Sequence, residues 1–413
     1  MVQFEKFTLA NGLRVIVHED RSTPMVAFNV LYDVGARDEE EERTGFAHLF
    51  EHLMFGGSVN IPSYDEPLQM AGGENNAYTT NDITNYYIQL PKENIETAFW
   101  LESDRMLSLA FNEQSLEVQR KVVCEEFKEH YINKPYGDAW KHLRELAYKN
   151  HPYKWMTIGK ELKHIEEASL EDVRAFFFKH YRPQNAVICV AGNTDLASVK
   201  ALTEKYFADI EPGAPYERRL TTEALQTEAH SMTIEADVPL DAIYKAWHMD
   251  GRLQKGYYAA DVITEVLGGG QSSRLYQKLV KEQKLFSNIA CYHTGSLDPG
   301  LVVIEGKLVQ GITAEQANSA IEQELQLLIA EGITDEELQK SSNKIEAMVV
   351  FEDMNLLARA NNLAFYELLG DASMMNTELE KYQAIDAADV KEYAAKIFDP
   401  SQSNTLYYLK KHQ

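Results

Sequence analysis

Two histidines and a glutamate lie within five consecutive residues, His48-Leu49-Phe50-Glu51-His52. Side chains at positions i and i+4 lie on one face of an α-helix, about one turn apart, so a helix here would bring the imidazoles of His48 and His52 together. Such a pair of nitrogen donors suits a single Zn²⁺ ion. Glu51 would lie beside them, where its carboxylate could take a proton from a water molecule. The spacing predicts a hydrolytic zinc site, with two surface histidines on an amphipathic helix as the alternative.

A catalytic zinc ion usually has three protein ligands and one open position, so a third ligand must come from another part of the chain. The candidates are the acidic residues of the predicted helix that contains Val122-Val123-Cys124-Glu125-Glu126-Phe127. At about 100° per residue, Glu126 falls on the apolar face of this helix, and Glu125 falls toward its edge or outside it. A carboxylate on a buried face is costly unless it is paired or binds a metal. We therefore expect Glu126 to be the third ligand, with a core salt bridge as the alternative; Gln119 shares this face.

The helix that must carry the two histidines is predicted from Thr44-Gly45 to about Phe55. The acidic run from Asp38 to Glu42, which precedes it, is predicted to be a solvated loop. The other predicted elements are a hairpin at 4–9 and 13–17, a strand at 25–32, helices at about 92–109, 113–145 and 169–181, and a strand at 185–191. This order of elements is typical of an α+β fold.

The two halves of the chain carry one pattern twice. The segment from Asp172 to Pro183 returns between Asp389 and Pro400, with Asp-Val, an aromatic residue, Lys, an aromatic residue and Pro in the same order. The offset is 217 residues throughout, about half of the chain, and an apolar strand follows each copy. We therefore predict an internal duplication, with a zinc-bearing domain at 1–210, a linker at 211–226 and a homologous C-terminal domain without the histidine motif at 227–413.

The charge balance excludes several classes of partner. The 413 residues include 40 Lys and Arg against 64 Asp and Glu, a formal net charge of −24 at pH 7. Such a surface repels phosphate backbones and anionic membranes, which argues against nucleic acid and membrane lipid as partners. No apolar run reaches the roughly 18 residues that a membrane span needs. The charged start, Met1 to Lys6, is unlike a secretory signal, so we expect a cytoplasmic protein, or a periplasmic one if a signal was removed.

These residues resemble the M16 peptidases, the family of pitrilysin, insulin-degrading enzyme and the mitochondrial processing peptidases. The resemblance extends over nearly the whole chain and rests first on the His48 to His52 order, H-x-x-E-H, an inverted form of the zincin motif. It also rests on Val122 to Glu126, which matches the family's helix with the third zinc ligand. Further matches are Asn76-Ala77-x-Thr79, Asp82-x-Thr84-x-Tyr86, His151-Pro152-Tyr153 with Gly159, and Ser272-Ser273-Arg274-Leu275.

The resemblance implies a fold and a set of site residues. Its members contain two homologous α/β-sandwich domains, which form half of a clamshell that a second two-domain unit closes around a chamber. Matched residue by residue, His48, His52 and Glu126 are the ligands of one Zn²⁺ ion, and Glu51 is the general base. An exposed edge strand of the family binds peptide substrates by strand addition, and an ordinary inner strand is the alternative here. The residues that match this edge strand are Asn76, Ala77, Tyr78 and Thr79.

Two features depart from the family's pattern. A second Glu often lies seven residues before the third ligand, and this chain has Gln119 there, which can hydrogen-bond but cannot act as a carboxylate. Catalytic units also commonly receive an Arg and a Tyr, seven residues apart, from the C-terminal domain. The matching positions here are Val280 and Ser287, and neither can bind a substrate carbonyl as Arg and Tyr would. We therefore predict a heterodimer in which a homologous subunit supplies the Arg and Tyr.

The sequence as a whole predicts a zinc endopeptidase that acts on unfolded peptides in an enclosed chamber. One alternative is a non-catalytic structural subunit of an M16-type assembly, and another is a zinc hydrolase with a non-peptide substrate. Inactive M16-like subunits typically lose part of the zinc motif, whereas all four motif positions are intact here. Two other histidines, His248 and His293, have no partner at ligand spacing and are expected to be structural or surface residues.

Overall fold

The first of two sheets contains six strands of the N-terminal half. A computed structural model describes residues 1–214 and 216–411 of the chain. The strands are β1 (Glu5–Thr8), β2 (Arg14–Glu19), β3 (Met25–Tyr32), β4 (Glu74–Thr79), β5 (Thr84–Pro91) and β6 (Ala186–Gly192). They pair in the order β1-β2-β6-β3-β5-β4. Among the described strands of this sheet, only β2 and β6 form a parallel pair. In the described part of the chain β4 is therefore an edge strand, with β5 on one side of it.

The second sheet repeats this arrangement. Its strands are β7 (His230–Ala236), β8 (Ala242–His248), β9 (Phe286–His293), β10 (Leu301–Leu308) and β11 (Asn404–Lys410). They pair in the order β7-β11-β8-β10-β9, which is the order of β2-β6-β3-β5-β4 in the first sheet. Strand β8 begins 217 residues after β3, and β10 begins 217 residues after β5. The predicted duplication and the α+β class are both confirmed.

Fourteen α-helices of the described residues flank the sheets. They are α1 (Phe46–Leu53), α2 (Asp65–Met70), α3 (Ile95–Leu107), α4 (Glu113–Phe127), α5 (Ala139–Ala147), α6 (Leu162–Glu166), α7 (Leu170–His180), α8 (Leu196–Phe207), α9 (Lys255–Gly268), α10 (Ala314–Glu331), α11 (Asp335–Met354), α12 (Leu356–Leu368), α13 (Glu378–Gln383) and α14 (Ala387–Ile397). None of these helices combines the length and apolar character that a membrane crossing requires.

Each half of the sequence contributes one helix to the core of the other half's sheet. Helix α12, from the C-terminal half, packs on the first sheet, where Ala360 and Leu363 join a core that includes Leu31. Helix α5, from the N-terminal half, packs on the second sheet, where Leu143 joins a core that includes Leu406. Each sheet therefore completes its core with a helix from the other half of the sequence.

Each of the two compact units therefore consists of several separate ranges of the sequence. One unit comprises 1–127, 155–220 and 350–377, and the other comprises 128–154, 221–349 and the chain from Glu378 onward. The predicted ranges 1–210 and 227–413 follow the sequence repeat and stay a prediction about homology. Within the predicted linker, the described residues of 211–226 form no helix or strand.

One long predicted helix, 113–145, is wrong as a single element. Helix α4 ends at Phe127, a π-helical turn occupies Lys128–Ile132, and α5 begins only at Ala139. Pro135 accounts for the gap between Ile132 and Ala139, because it has no backbone N–H and disfavours helical geometry at the residue before it. The break ends α4 directly after the candidate third ligand, Glu126.

Candidate metal centre

Helix α1 holds both histidines, and its start is fixed by a glycine. Gly45 lies in the left-handed region with φ +89°, and a Cβ there would lie 2.6 Å from the carbonyl oxygen of Ile158. Only glycine fits such a conformation without strain. The buried residues of the helix are Phe46, Ala47, Leu49, Phe50 and Leu53. The remaining side chains of α1, those of His48, Glu51 and His52, are each partly exposed on its other face.

The start of α1 is also held by Glu39, which the sequence placed in a solvated loop. The Glu39 side chain is buried and accepts hydrogen bonds from the backbone N–H groups of Gly45 (2.9 Å) and Ala47 (2.8 Å). Burial raises its pKa to about 8, against the opposing effect of these amides. Asp38 is buried too, and it accepts from Nε of Arg218 at 2.7 Å. The solvated-loop prediction is therefore wrong for these two residues, because each has found buried hydrogen-bond donors.

The two imidazoles of α1 converge on one carboxylate of α4. Nε2 of His52 lies 3.5 Å from Oε2 of Glu126, and Nε2 of His48 lies 3.7 Å from the same oxygen. The ring centroids of the histidines are 4.9 Å apart, with planes at 85°. One potential ligand atom from each of the three residues lies within 4.8 Å of the others. The structure thus brings together the three residues that the sequence predicts as ligands.

The chemistry and spacing of this donor set fit Zn²⁺. Nitrogen and oxygen donors about 2.1 Å from a tetrahedral zinc ion lie about 3.4 Å from one another, close to the separations between the imidazoles and Glu126. Side-chain exposures of 17% for His48, 21% for His52 and 35% for Glu126 leave one side of the cluster open to solvent. Three protein donors with an open side are the arrangement of catalytic rather than structural zinc sites.

Glu126 lies at the border of the buried face of α4 rather than inside it. The buried residues of α4 are Leu116, Val123, Cys124 and Phe127. Val122, which the sequence assigned to the apolar face, is 40% exposed. The buried face is therefore rotated away from the predicted one, and Glu126 reaches the histidines from its edge. Gln119 lies two turns earlier on α4 and is partly buried, and its role stays a prediction.

The carboxylate of Glu51 is held by the edge strand β4. Oγ1 of Thr79 lies 2.6 Å from Oε2 of Glu51, and the hydroxyl must donate because an ionised carboxylate only accepts. Strand β4 alternates between exposed and partly buried residues, so Ala77 shares the face of Thr79, and Asn76 and Tyr78 lie on the other face. The four residues predicted as one substrate strand thus fall on two faces of the sheet.

The backbone of β4 has a donor directed away from its neighbour in the sheet. The N–H of Ala77 donates to Oδ1 of Asn76 at 2.8 Å, although Ala77 is paired in register with Tyr86 of β5. The side-chain oxygen of Asn76 thus accepts from this N–H on the side of β4 that has no neighbouring strand among the described residues.

Sequence reasoning missed the contacts of Thr79 and Glu39. An acidic residue shortly before a predicted helix is a signal for Glu39, because carboxylates stabilise helix N-termini. No local pattern indicates the bond between Thr79 and Glu51, since the residues lie 28 positions apart on different elements.

The second unit contains four other residues singled out from the sequence: Val280, Ser287, His248 and His293. Val280 is partly buried in a π-helical turn, Tyr276–Glu282, and packs against the core. Ser287 is exposed on β9, where its hydroxyl donates to the carbonyl of Lys307 at 3.1 Å. His248 lies 2.8 Å from the carbonyl oxygen of Ala147, and His293 lies 3.1 Å from Asp261, as structural histidines would.

Comparison with known proteins places the chain in a family. Residues 14–161 match the family model "Insulinase (Peptidase family M16)", and residues 167–345 match "Peptidase M16 inactive domain". Zinc protease PqqE of Helicobacter pylori is 28% identical over 413 residues, which cover 98% of this chain and 92% of that protein. The crystal structure of a protease from Helicobacter pylori superposes with a TM-score of 0.92 at 28% identity, covering 99% of this chain and 100% of that one.

The fold also matches half of a longer chain. The periplasmic protease PqqL of Escherichia coli superposes with a TM-score of 0.78 at 18% identity, covering 98% of this chain but 47% of that one. Both domain models of one family match in succession, and the zinc protease from Helicobacter pylori aligns over nearly the full length. This chain therefore belongs to the M16 family of zinc metallopeptidases.

Proposed function

We propose that this chain is a zinc-dependent endopeptidase that hydrolyses unfolded peptides in an enclosed chamber. The observation that carries the proposal is the convergence of His48, His52 and Glu126, with Glu51 beside them on the same helix. These three residues hold one Zn²⁺ ion per chain, and Glu51 is the general base. A non-catalytic subunit needs none of these four residues, so their joint presence disfavours that alternative.

The metal and Glu51 have different roles in the proposed reaction. When bound, zinc supplies a Lewis acid that polarises the scissile carbonyl and lowers the pKa of a water molecule. Glu51 takes a proton from the attacking water and delivers it to the leaving amine as the C–N bond breaks. Glu51 lies one turn from His48 and next to His52 on α1, and it is not part of the three-residue donor set.

The edge strand β4 supplies the surface on which a peptide is bound. An extended peptide that pairs with a sheet edge is held by main-chain hydrogen bonds, so varied sequences can be accepted. The N–H of Ala77 is one donor for such a bond, and Oδ1 of Asn76 now occupies the position of a substrate carbonyl oxygen. This geometry supports unfolded peptides as substrates, because folded proteins rarely present a free strand.

A second M16-like subunit completes the enzyme in this proposal. The chain has the fold of about half of PqqL. Its own candidates for binding the substrate carbonyl, Val280 and Ser287, lack the needed cation and phenol. We infer a heterodimer whose other subunit brings an Arg and a Tyr to this metal centre.

Zinc content and peptide cleavage test the proposed function together. The chain is purified with any subunit that co-purifies, zinc is measured by elemental analysis, and hydrolysis of unstructured peptides is followed by mass spectrometry. We expect one zinc ion per chain, loss of cleavage with a chelator and recovery on adding zinc. Cleavage that persists in a zinc-free preparation would overturn the proposal, as would a fully zinc-loaded complex without activity on any unstructured peptide.

A further inference from the structure

We propose that Thr79 is the positioning residue for Glu51 and that it couples peptide binding on β4 to the alignment of the general base. This inference rests on the proposed function and deepens it. The sequence places Thr79 among residues that contact substrate. In the structure its hydroxyl is instead directed at Glu51, at 2.6 Å.

The position of Thr79 is set by its surroundings. Thr79 is the last residue of β4 and pairs with Thr84, whose buried hydroxyl donates to the carbonyl of Val34 at 2.9 Å. The turn that follows is closed by Thr80, whose N–H donates to the carbonyl of Ile83 at 2.8 Å. A threonine side chain has few accessible χ1 rotamers. The Thr79 hydroxyl therefore presents a donor at a well-defined point beside α1.

Glu51 depends on a hydrogen-bond donor for its orientation more than the metal ligands do. A bound metal fixes the two imidazoles and Glu126, whereas a glutamate that is not a ligand retains several rotatable bonds and loses much rotamer freedom when it is held. The hydrogen bond from Thr79 restricts the carboxylate to one orientation. General-base catalysis depends on that orientation, and a misplacement of about 1 Å can cost about 10²-fold in rate.

The same strand that orients the base also binds the substrate. In the absence of a peptide, the free side of β4 has no partner strand among the described residues. A peptide that adds to this side pairs with the backbone of β4 and restrains its motion, and therefore also that of Thr79. A longer peptide, which spans β4, is thus expected to align Glu51 better than a short one that only reaches the metal.

The test compares four variants in the holoenzyme: Thr79→Val, Thr79→Ser, Thr79→Ala and Thr8→Val. Valine keeps the shape of threonine without the hydroxyl, and serine keeps the hydroxyl. Alanine is a second hydroxyl-free variant in case valine disturbs folding, which circular dichroism would detect. Thr8 is a matched control, because it is the exposed last residue of β1, the opposite edge of the same sheet.

We expect Thr79→Val and Thr79→Ala to lower kcat on a long peptide about 10- to 100-fold, with KM changed less than about twofold and zinc content unchanged. Thr79→Ser should recover kcat to within about threefold of the parent. The ratio of kcat between a long and a short peptide should exceed one in the parent and fall toward one in the valine variant. Crystal structures of the zinc-loaded variants should show several Glu51 conformers for valine and one for serine.

Three results would overturn the inference: an unchanged kcat in Thr79→Val, a rise in KM alone, or a serine variant as slow as valine. A rise in KM alone would make Thr79 a substrate contact. The failure of the proposed function is distinguishable, because Glu51→Gln would then remain active. An inactive Glu51→Gln together with a fully active Thr79→Val would reject the coupling and leave the peptidase intact.

Discussion

In the two halves of this molecule, equivalent pairs of helices contact each other through different side chains. In the first half, α1 and α4 meet through His48, His52 and Glu126. At the repeat spacing of 217 residues, the position equivalent to His48 is Glu265, and the position equivalent to Glu126 is Asn343. In the second half, Oε2 of Glu265 on α9 accepts from Nζ of Lys344 on α11 at 2.6 Å. An ion pair thus lies where the first half presents a candidate metal centre.

The position of Glu51, the proposed general base, differs as well. The same spacing carries Glu51 to Gly268 and His52 to Gly269. Helix α9 ends at Gly268, whereas α1 runs on to Leu53, beyond Glu51 and His52. Glycines at a helix end favour chain reversal and carry no reactive group. At these matched positions the second half therefore has neither a carboxylate in place of Glu51 nor a His-His-Glu set, although its strands keep the same order.

This difference shows that the sheet and its helices do not by themselves specify the chemistry. Two sheets of the same strand order support either a His-His-Glu set or a lysine–glutamate pair, so function depends on a few positions placed on a shared fold.

The largest effect is expected from removing Glu126, the proposed third ligand. Glu126→Gln replaces a charged oxygen donor by a neutral amide, which should weaken zinc retention and reduce peptidase activity to background, because metal binding favours carboxylates over amides at such sites. Elemental analysis after dialysis measures the retained zinc. Glu125→Gln, one position away on the exposed side of α4, is the control. Equal zinc content in the two variants would contradict the ligand assignment.

Nearly as large an effect should follow from removing Glu51, the proposed base, alone. Glu51→Gln should keep zinc at the parent level and lose about 10²- to 10⁴-fold in kcat, since the amide cannot accept the proton. Glu265→Gln in the second half is the matched control and should retain both zinc and activity. Loss of zinc in Glu51→Gln would make this residue a structural one, and loss of activity in Glu265→Gln would give the second half a chemical role.

Much of the fold was predictable because its signals are local. Strand β3 occupies 25–32 as predicted, and α7 begins after a capping box in which Ser169 and Asp172 bond each other's backbone. The closeness of His48 and His52 was predictable for the same reason, because histidines at i and i+4 need only one helix. The exchange of α5 and α12 and the bond between Thr79 and Glu51 are contacts between distant segments, and no periodicity encodes them. The apolar face of α4 was misplaced because Val122 is exposed although it is hydrophobic.

The isolated chain is expected to lack the donors that stabilise a substrate carbonyl during cleavage. Under the proposed function, Val280 and Ser287 supply no preorganised donor to a substrate carbonyl, and losing one such donor costs roughly 10²- to 10³-fold in kcat. The purified chain alone should therefore bind zinc but cleave peptides at least about 100-fold more slowly than the complex with its partner. Activity is measured before and after adding the homologous subunit. Full activity from this polypeptide alone would remove the need for a heterodimer.

A smaller effect is expected at the edge of the first sheet. Ala77→Pro removes the N–H that now donates to Asn76, and the loss of one main-chain hydrogen bond of about 1 kcal/mol should raise KM about fivefold to tenfold for unrelated peptides alike. Ala77→Val keeps the N–H and serves as the control. Steady-state kinetics on several peptides of different composition measures the effect. A change restricted to certain sequences would indicate side-chain recognition at β4 instead of backbone pairing.

The smallest effect is expected in the second half, where Lys344→Met removes the ion pair with Glu265 and keeps most of the aliphatic stem. The Lys344 side chain is 46% exposed, so the pair is screened by water, and its loss should lower the free energy of unfolding by about 1 kcal/mol or less. Urea denaturation measures this change, and the control is Lys340→Met, one turn earlier on α11, which removes a hydrogen bond to Oγ of Ser272 (2.6 Å) instead of the ion pair. Zinc content and kcat should stay at the parent level. A loss of activity without a loss of stability would show that the second half contributes to catalysis, and the contrast between the halves would then no longer hold.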